Sequence, residues 1–152
     1  AYLLRFYGIA TAEPVALVER RFGWVRRQSY FIAARVPGMP VAEALAGASC
    51  QQREQIAGQL AQLLYKLYLL RVEHGDMKAS NLLLADGKPV LLDLDAMRQL
   101  GCGWRFKARH ARDLRRFLKN WENTPDTRQL LEAALREQYR GEAVLAMAGI
   151  SI

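Results

Sequence analysis

Apolar residues recur at helical spacing in one long segment of the chain. Between residue 50 and about residue 72 they lie three or four positions apart, at Ile56, Leu60, Leu63, Leu64, Leu67 and Leu70. This spacing places them on one face, so we predict a long amphipathic helix with its leucine stripe in the core. Ser49 and Gln52 fit a capping box at its start, and the glycine after His74 lets the backbone leave the helix.

Short apolar runs around an Asp-Gly pair predict a hairpin further along the chain. Residues 81–85 and 89–93 flank Asp86-Gly87-Lys88, and an Asp-Gly turn between such runs is a strong hairpin signal. The hairpin is expected to bring Asn81 and Asp93 together.

An earlier pair of runs also predicts antiparallel strands. Residues 14–20 and 29–36 are rich in β-branched and aromatic side chains and are separated by a turn-prone stretch at Gly23. We therefore expect a small two-stranded sheet near the start of the chain.

Further helices are predicted on either side of these elements. A short helix at residues 41–45 follows a run of proline and glycine, and apolar periodicity predicts helices over residues 104–121 and about 127–139. Residues 141–152 are weakly patterned, so no element is assigned to them.

Composition is that of an ordinary globular chain. The 152 residues are 51% hydrophobic and 24% charged, which fits one compact domain with a real core. No run approaches the roughly 18 apolar residues of a membrane-spanning helix, and the first residues lack a secretory signal, so a cytoplasmic location is expected. Cys50 and Cys102 are isolated, which predicts reduced, buried or inert thiols and neither a disulfide nor a zinc site.

Four polar residues around the second hairpin suit phosphoryl transfer. That chemistry needs a carboxylate beside the attacking hydroxyl, a cation on the transferred phosphate and oxygen ligands for magnesium. Asp76 is placed to orient and deprotonate the acceptor, and Lys78 to neutralise charge on the γ-phosphate. Asn81 and Asp93 offer oxygen ligands for the metal. Taken singly, each residue could instead serve a turn, a strand end or the solvated surface.

These residues also match known motifs. The run His-Gly-Asp-Met-Lys-Ala-Ser-Asn at residues 74–81 resembles the catalytic loop of protein kinases and their relatives, and Asp93-Leu94-Asp95 resembles their metal-binding Asp-Phe-Gly segment. Gly75 stands where protein kinases usually have arginine, as in relatives that phosphorylate small molecules. Together with the Leu-Leu-Asp-Leu-Asp run, the loop resembles the bacterial lipopolysaccharide kinase family.

This resemblance implies an α+β, protein-kinase-like fold. Residues 1–36 would be a remnant of the small lobe, namely the end of its helix, two strands and the hinge, and residues 37–152 the helical large lobe. The implied reaction transfers the γ-phosphate of ATP, with Mg²⁺, to a hydroxyl of an inner-core lipopolysaccharide sugar, heptose or Kdo. His74 would pack beneath the loop as structural support. Backbone groups would contact adenine at Ala33, Ala34, Arg35 and Val36.

Asp113 lies on a mostly apolar face of its predicted helix, with Phe106, His110 and Phe117. A carboxylate there needs a partner. In kinase-like folds an aspartate on the equivalent helix accepts hydrogen bonds from the catalytic loop's backbone, and the alternative is a surface ion pair with Arg109 or Arg116.

The same helix is strongly basic and accounts for much of the net charge of +7, through Arg105, Lys107, Arg109, Arg112, Arg115, Arg116 and Lys119. One interpretation is an ordinary solvated face. The other is attraction to an acidic acceptor, or to an anionic membrane at the inner face of the inner membrane. Nucleic-acid binding is disfavoured because no recognisable reading module accompanies the charge.

Parts of a complete kinase are missing from the sequence. No glycine-rich loop precedes the first predicted strand, and no lysine precedes Lys66 to act as the small-lobe lysine. A truncated small lobe is therefore expected, either because this is a fragment of a longer chain or because it is a truncated relative. Little activity of this chain alone is expected. The alternatives are a serine/threonine protein kinase, although its activation-segment motif is absent, or a non-catalytic pseudokinase-like binding module.

Overall fold

The computed structural model describes residues 1–101 and 103–151. The helices are α1 (Tyr2–Phe6), α2 (Val41–Gly47), α3 (Cys50–Leu69), α4 (Gly103–Lys119), α5 (Pro125–Tyr139) and α6 (Ala143–Met147). The strands are β1 (Pro14–Phe22), β2 (Val25–Ala33), β3 (Met39–Pro40), β4 (Val72–Glu73), β5 (Leu82–Ala85), β6 (Lys88–Leu91) and β7 (Arg98–Gln99). None of the helices within these residues has the length and apolar content needed to cross a lipid bilayer.

The long helix α3 forms the centre of the core, as its leucine spacing predicts. Its capping box is present: Ser49 Oγ accepts from the Gln52 amide, and Gln52 Oε1 accepts from the Ser49 amide at 2.9 Å. The helix ends at Leu69, three residues earlier than predicted. Arg71 has a left-handed φ of 53°, which ends the helix and lets the chain enter the short strand β4.

The hairpin of β5 and β6 turns at Asp86-Gly87, where both residues have positive φ. A two-residue hairpin turn of this type requires a positive φ at both residues, and Asp and Gly adopt a positive φ readily. The strands are shorter than predicted, so Asn81 and Asp93 lie just outside them. Strand β3 pairs with β5, and the Leu91 amide donates to Ala10 O at 2.9 Å, which attaches the early chain to this sheet.

The first hairpin, β1–β2, is antiparallel as predicted, but its second strand was placed too late. The strand begins at Val25 and ends at Ala33 because the turn occupies only the two residues after Phe22, with Gly23 at φ 57°. Most of its side chains are exposed, including Trp24 at the turn.

Helix α5 packs against α3, and α4 packs against α5 and α6. The sequence assigned no element to the tail, where the structure has α6, which packs against α4. Val144, Leu145 and Ile150 are buried, so the tail contributes to the core although its apolar residues are too few to give a clear period. Cys50 is free and exposed rather than buried, and Cys102 lies outside the described residues.

Aromatic side chains fill the space between α3, α4 and α5. Tyr65, Tyr68, Phe106, His110 and Tyr139 form this cluster, with the rings of Tyr65 and Tyr139 4.9 Å apart. His110 Nε2 and the Tyr139 hydroxyl form a hydrogen bond of 2.7 Å. Burial lowers the pKa of His110 to about 4, so the imidazole is neutral at physiological pH.

His110 therefore makes stability depend on pH in a defined direction. The pKa of His110 in the folded protein lies below the ordinary histidine value of 6.5, so its contribution to stability is complete above that pH and is lost as pH falls toward about 4. We expect the free energy of unfolding of the wild type, minus that of His110→Gln, to fall by up to about 3 kcal/mol across this range. Urea titrations of both proteins at several pH values measure this difference. The pH-dependent contributions of the carboxylates that both proteins contain cancel in it. A flat difference would contradict it.

Candidate active site

The loop between β4 and β5 is held in place by Asp113 of α4. Its carboxylate accepts hydrogen bonds from the backbone amides of His74 at 2.7 Å and of Gly75 at 3.1 Å. Of the two alternatives for Asp113, the structure therefore has the contact with the loop's backbone. Burial raises the pKa of Asp113, while these two amides oppose the rise. The helix and the loop are thus joined through one buried acidic side chain.

His74 lies fully buried beneath the loop. The Asp76 amide donates to His74 Nδ1 at 3.3 Å, so Nε2 carries the hydrogen and donates to the carbonyl of Leu92 at 3.1 Å. The imidazole therefore joins the loop to the end of the β5–β6 hairpin. Its place beneath the loop is that of a positioning group.

Asp76 points its carboxylate between two cations. Lys78 Nζ lies 2.8 Å from Oδ2, and Arg116 Nη2 contacts Oδ1. The hydrogen bond from Lys78 lowers the pKa of Asp76, and the charge of Arg116 adds to the effect. The carboxylate is therefore ionised at neutral pH, and the structure brings Asp76 and Lys78 together.

Asn81 and Asp93 both lie at the open end of the β5–β6 hairpin, where Asn81 pairs with Leu92, the neighbour of Asp93. Asn81 Nδ2 donates to the carbonyl of Asp76 at 2.9 Å, and the Leu92 amide donates to the carbonyl of Asn81 at 2.9 Å. Asp93 follows directly, exposed and with a left-handed φ of 52°. Within the described residues, no three His, Cys, Asp or Glu side chains group as a metal site. One amide and one carboxylate suit Mg²⁺, which keeps several waters or phosphate oxygens among its ligands.

The segment predicted to contact adenine begins at Ala33, the last residue of β2. Its residues are Ala33, Ala34, Arg35 and Val36, and the Ala34 amide already donates to Glu13 O at 2.8 Å. That amide is therefore engaged within the hairpin. No hydrogen bond or ion pair among the described residues joins this segment to the loop of residues 74–81.

Sequence reasoning missed a group of ion pairs beside the loop. Glu73 is 1% exposed and pairs with Arg112 at 2.6 Å and with Arg109 at 3.1 Å. The contact of Arg116 with Asp76 was also missed. A signal for it existed, because Arg116 is three residues after Asp113, and side chains at that spacing lie on neighbouring parts of one helix face.

Gly75 is required by two features of the loop. Its φ is +84°, and a Cβ at this position would lie 3.0 Å from Ala96 Cβ and 3.1 Å from Ala96 O. A side chain would therefore meet both backbone strain and a collision. This explains locally why the arginine of protein kinases has no equivalent here.

A family model supplies the observation that decides the class. The model of the lipopolysaccharide kinase (Kdo/WaaP) family matches residues 3–139. The chain belongs to this family. The resemblance found in the sequence is thus confirmed, and membership of a kinase family follows from it.

A solved structure supports the same fold. The structure titled "WaaP in complex with acyl carrier protein" matches with a TM-score of 0.70 and 19% sequence identity, covering 96% of this chain and 69% of that chain. At this identity the match shows the fold, so the predicted α+β, kinase-like class is confirmed. A comparison with curated proteins found no match.

Two glycine substitutions test how strictly the loop depends on Gly75. We expect Gly75→Ala to lower the free energy of unfolding by about 2–4 kcal/mol, from left-handed strain and the collision with Ala96. Gly58, an exposed position within α3 whose Cβ would meet nothing within 4 Å, is the matched control. Gly58→Ala should stabilise by about 0.5–1 kcal/mol. Urea denaturation measures both, and equal effects at the two sites would contradict the assignment.

Proposed function

We propose that the protein transfers the γ-phosphate of ATP to a hydroxyl of an inner-core lipopolysaccharide sugar, heptose or Kdo. The observation that carries the proposal is the ionised Asp76 carboxylate, held between Lys78 and Arg116 on a loop that a buried aspartate positions. Such a rigid loop with a poised carboxylate is what phosphoryl transfer needs from a protein. Membership of the lipopolysaccharide kinase family supports the class of acceptor.

In the proposed reaction Asp76 receives the acceptor's proton. The acceptor oxygen forms a bond to the γ-phosphorus while the bond from that phosphorus to the β–γ bridging oxygen breaks, and ADP leaves. Because Asp76 is a weak base, its main effect is to orient the hydroxyl, and proton transfer accompanies the formation of the new bond. Lys78 then turns its ammonium group toward the transferred phosphate and offsets charge there.

Asn81 and Asp93 would hold Mg²⁺ in this proposal. The metal, when bound, neutralises charge on the nucleotide phosphates. The side-chain nitrogen of Asn81 is engaged with the Asp76 carbonyl, which directs its oxygen away from the loop. The exposed carboxylate of Asp93 would be the second ligand.

The lobes are assigned by the same proposal. Residues 1–36 would be a remnant of the small lobe, and residues 37–152 the large lobe. Adenine would contact backbone groups of residues 33–36 other than the Ala34 amide, which already donates to Glu13 O. Because ATP and an inner-core acceptor meet at the cytoplasmic face of the inner membrane, we place the protein there as a peripheral enzyme.

Nucleotide binding tests the metal site. We expect ATP with Mg²⁺ to raise the melting temperature of the full-length encoded protein, and Asp93→Ala to abolish this rise. Asp95→Ala is the matched control, since Asp95 is an exposed carboxylate two residues away. An equal rise in melting temperature in the two variants would contradict the assignment of Asp93 as a metal ligand.

Phosphoryl transfer tests the role of Asp76. We expect Asp76→Asn to lower kcat by about 10²–10⁴-fold with little change in ATP affinity, because the neutral amide keeps the shape but orients the hydroxyl less strongly than the carboxylate and accepts no proton. The readout is transfer of radiolabelled phosphate from the γ position of ATP to an inner-core oligosaccharide. Full activity of the variant would refute the role of Asp76. Nucleotide binding without transfer by the wild type would favour the pseudokinase-like alternative.

A further inference from the structure

A basic cavity opens beside Asp76. It has a volume of about 400 Å³ and is lined by Gly75, Arg112, Arg115, Arg116 and Lys119. The four cationic residues lie three, one and three positions apart along α4, which places them on one face of the helix. Gly75 forms the side next to the loop, so the cavity and the carboxylate of Asp76 are neighbours.

The charge of this cavity is only partly neutralised. Arg112 pairs with Glu73 and Arg116 with Asp76, but within residues 1–101 and 103–151 neither Arg115 nor Lys119 forms an ion pair. No acidic side chain belongs to the lining. Two exposed cations therefore face a concave space beside the reactive loop, where an anion would relieve their mutual repulsion.

Arg116 connects this cavity to the chemistry. One of its terminal nitrogens contacts Asp76, and the side chain also lines the cavity. A guanidinium carries five N–H donors in a rigid fork, so it can hold a carboxylate on one side and an oxyanion on another. A group bound in the cavity would thus be held at a fixed distance from Asp76.

We propose that this cavity binds an anionic group, phosphate or carboxylate, of the acceptor sugar and thereby places a neighbouring hydroxyl at Asp76. The proposal rests on the proposed function and specifies its acceptor. Arg115 and Lys119 supply the charge that binds the anion, and Arg116 is a positioning residue between the anion and Asp76. The enzyme therefore selects acceptors that carry an anion close to the reacting hydroxyl.

The first experiment detects the anion site without catalysis. Inorganic phosphate is titrated into the full-length encoded protein while the NMR signals of the Gly75 amide and the arginine side chains are followed. We expect saturable shifts in the wild type. The dissociation constant for phosphate should be roughly tenfold higher in the cavity variant, which is the double variant Arg115→Gln, Lys119→Gln. The control is Arg20→Gln, Arg136→Gln, which removes the same charge away from the cavity. Equal weakening in the two variants, or no saturable shift, would overturn the proposal.

The second experiment uses the acceptor itself. Initial rates are measured with inner-core oligosaccharide, and with the same oligosaccharide after dephosphorylation or after carboxyl reduction. We expect the cavity variant to raise KM for the intact acceptor by roughly tenfold, with KM for ATP unchanged. The variant should have no further effect on whichever stripped acceptor lacks the recognised group, which identifies that group.

The two proposals fail in different ways. An equal loss on intact and stripped acceptors would show that Arg115 and Lys119 are only structural, and it would overturn the anion site while leaving phosphoryl transfer intact. Absence of both nucleotide binding and transfer would count against the proposed function alone, because the phosphate titration reads the cavity without either.

Discussion

The carboxylate of Asp113 joins α4 to the loop that carries Asp76, through hydrogen bonds from two consecutive backbone amides. A buried carboxylate is costly unless it is bonded, and a loop's amides are costly to bury unless they find an acceptor. The hydrogen bonds between the Asp113 carboxylate and the two amides offset the cost of burying both. The packing of α4 against the core therefore sets the position of the loop. The residues that follow His74 and Gly75 are placed by the same contact.

Charge on α4 is organised around this contact. The helix presents Asp113 to the loop, while its arginines reach Glu73 before the loop and Asp76 within it. Buried or half-buried carboxylates on a loop would otherwise repel one another and draw in water. The basic face of α4 is thus neither a uniform solvated surface nor a uniform binding surface. Part of it holds the loop together, and the part at Arg115 and Lys119 stays without acidic partners in the described chain.

Several elements were predictable because the interactions that form them are local. The capping box at Ser49, the leucine face of α3 and the turn at Asp86-Gly87 each depend on residues a few positions apart. Boundaries were less predictable. The end of α3 depends on the left-handed conformation of Arg71, and the place of α6 depends on a core that the rest of the fold provides.

The sequence by itself determined the class of fold, the family and the identity of the loop residues, because the motif of residues 74–81 and the hairpin after it are short and contiguous. Only the tertiary structure decided between the two roles open to Asp113, and only it paired Arg116 with Asp76 and buried Glu73 between two arginines. These contacts join residues some 36 to 40 positions apart, as the Arg109–Glu73 and Arg116–Asp76 pairs show. Their formation depends on how α4 is rotated against the loop, and the packing of its apolar face sets that rotation.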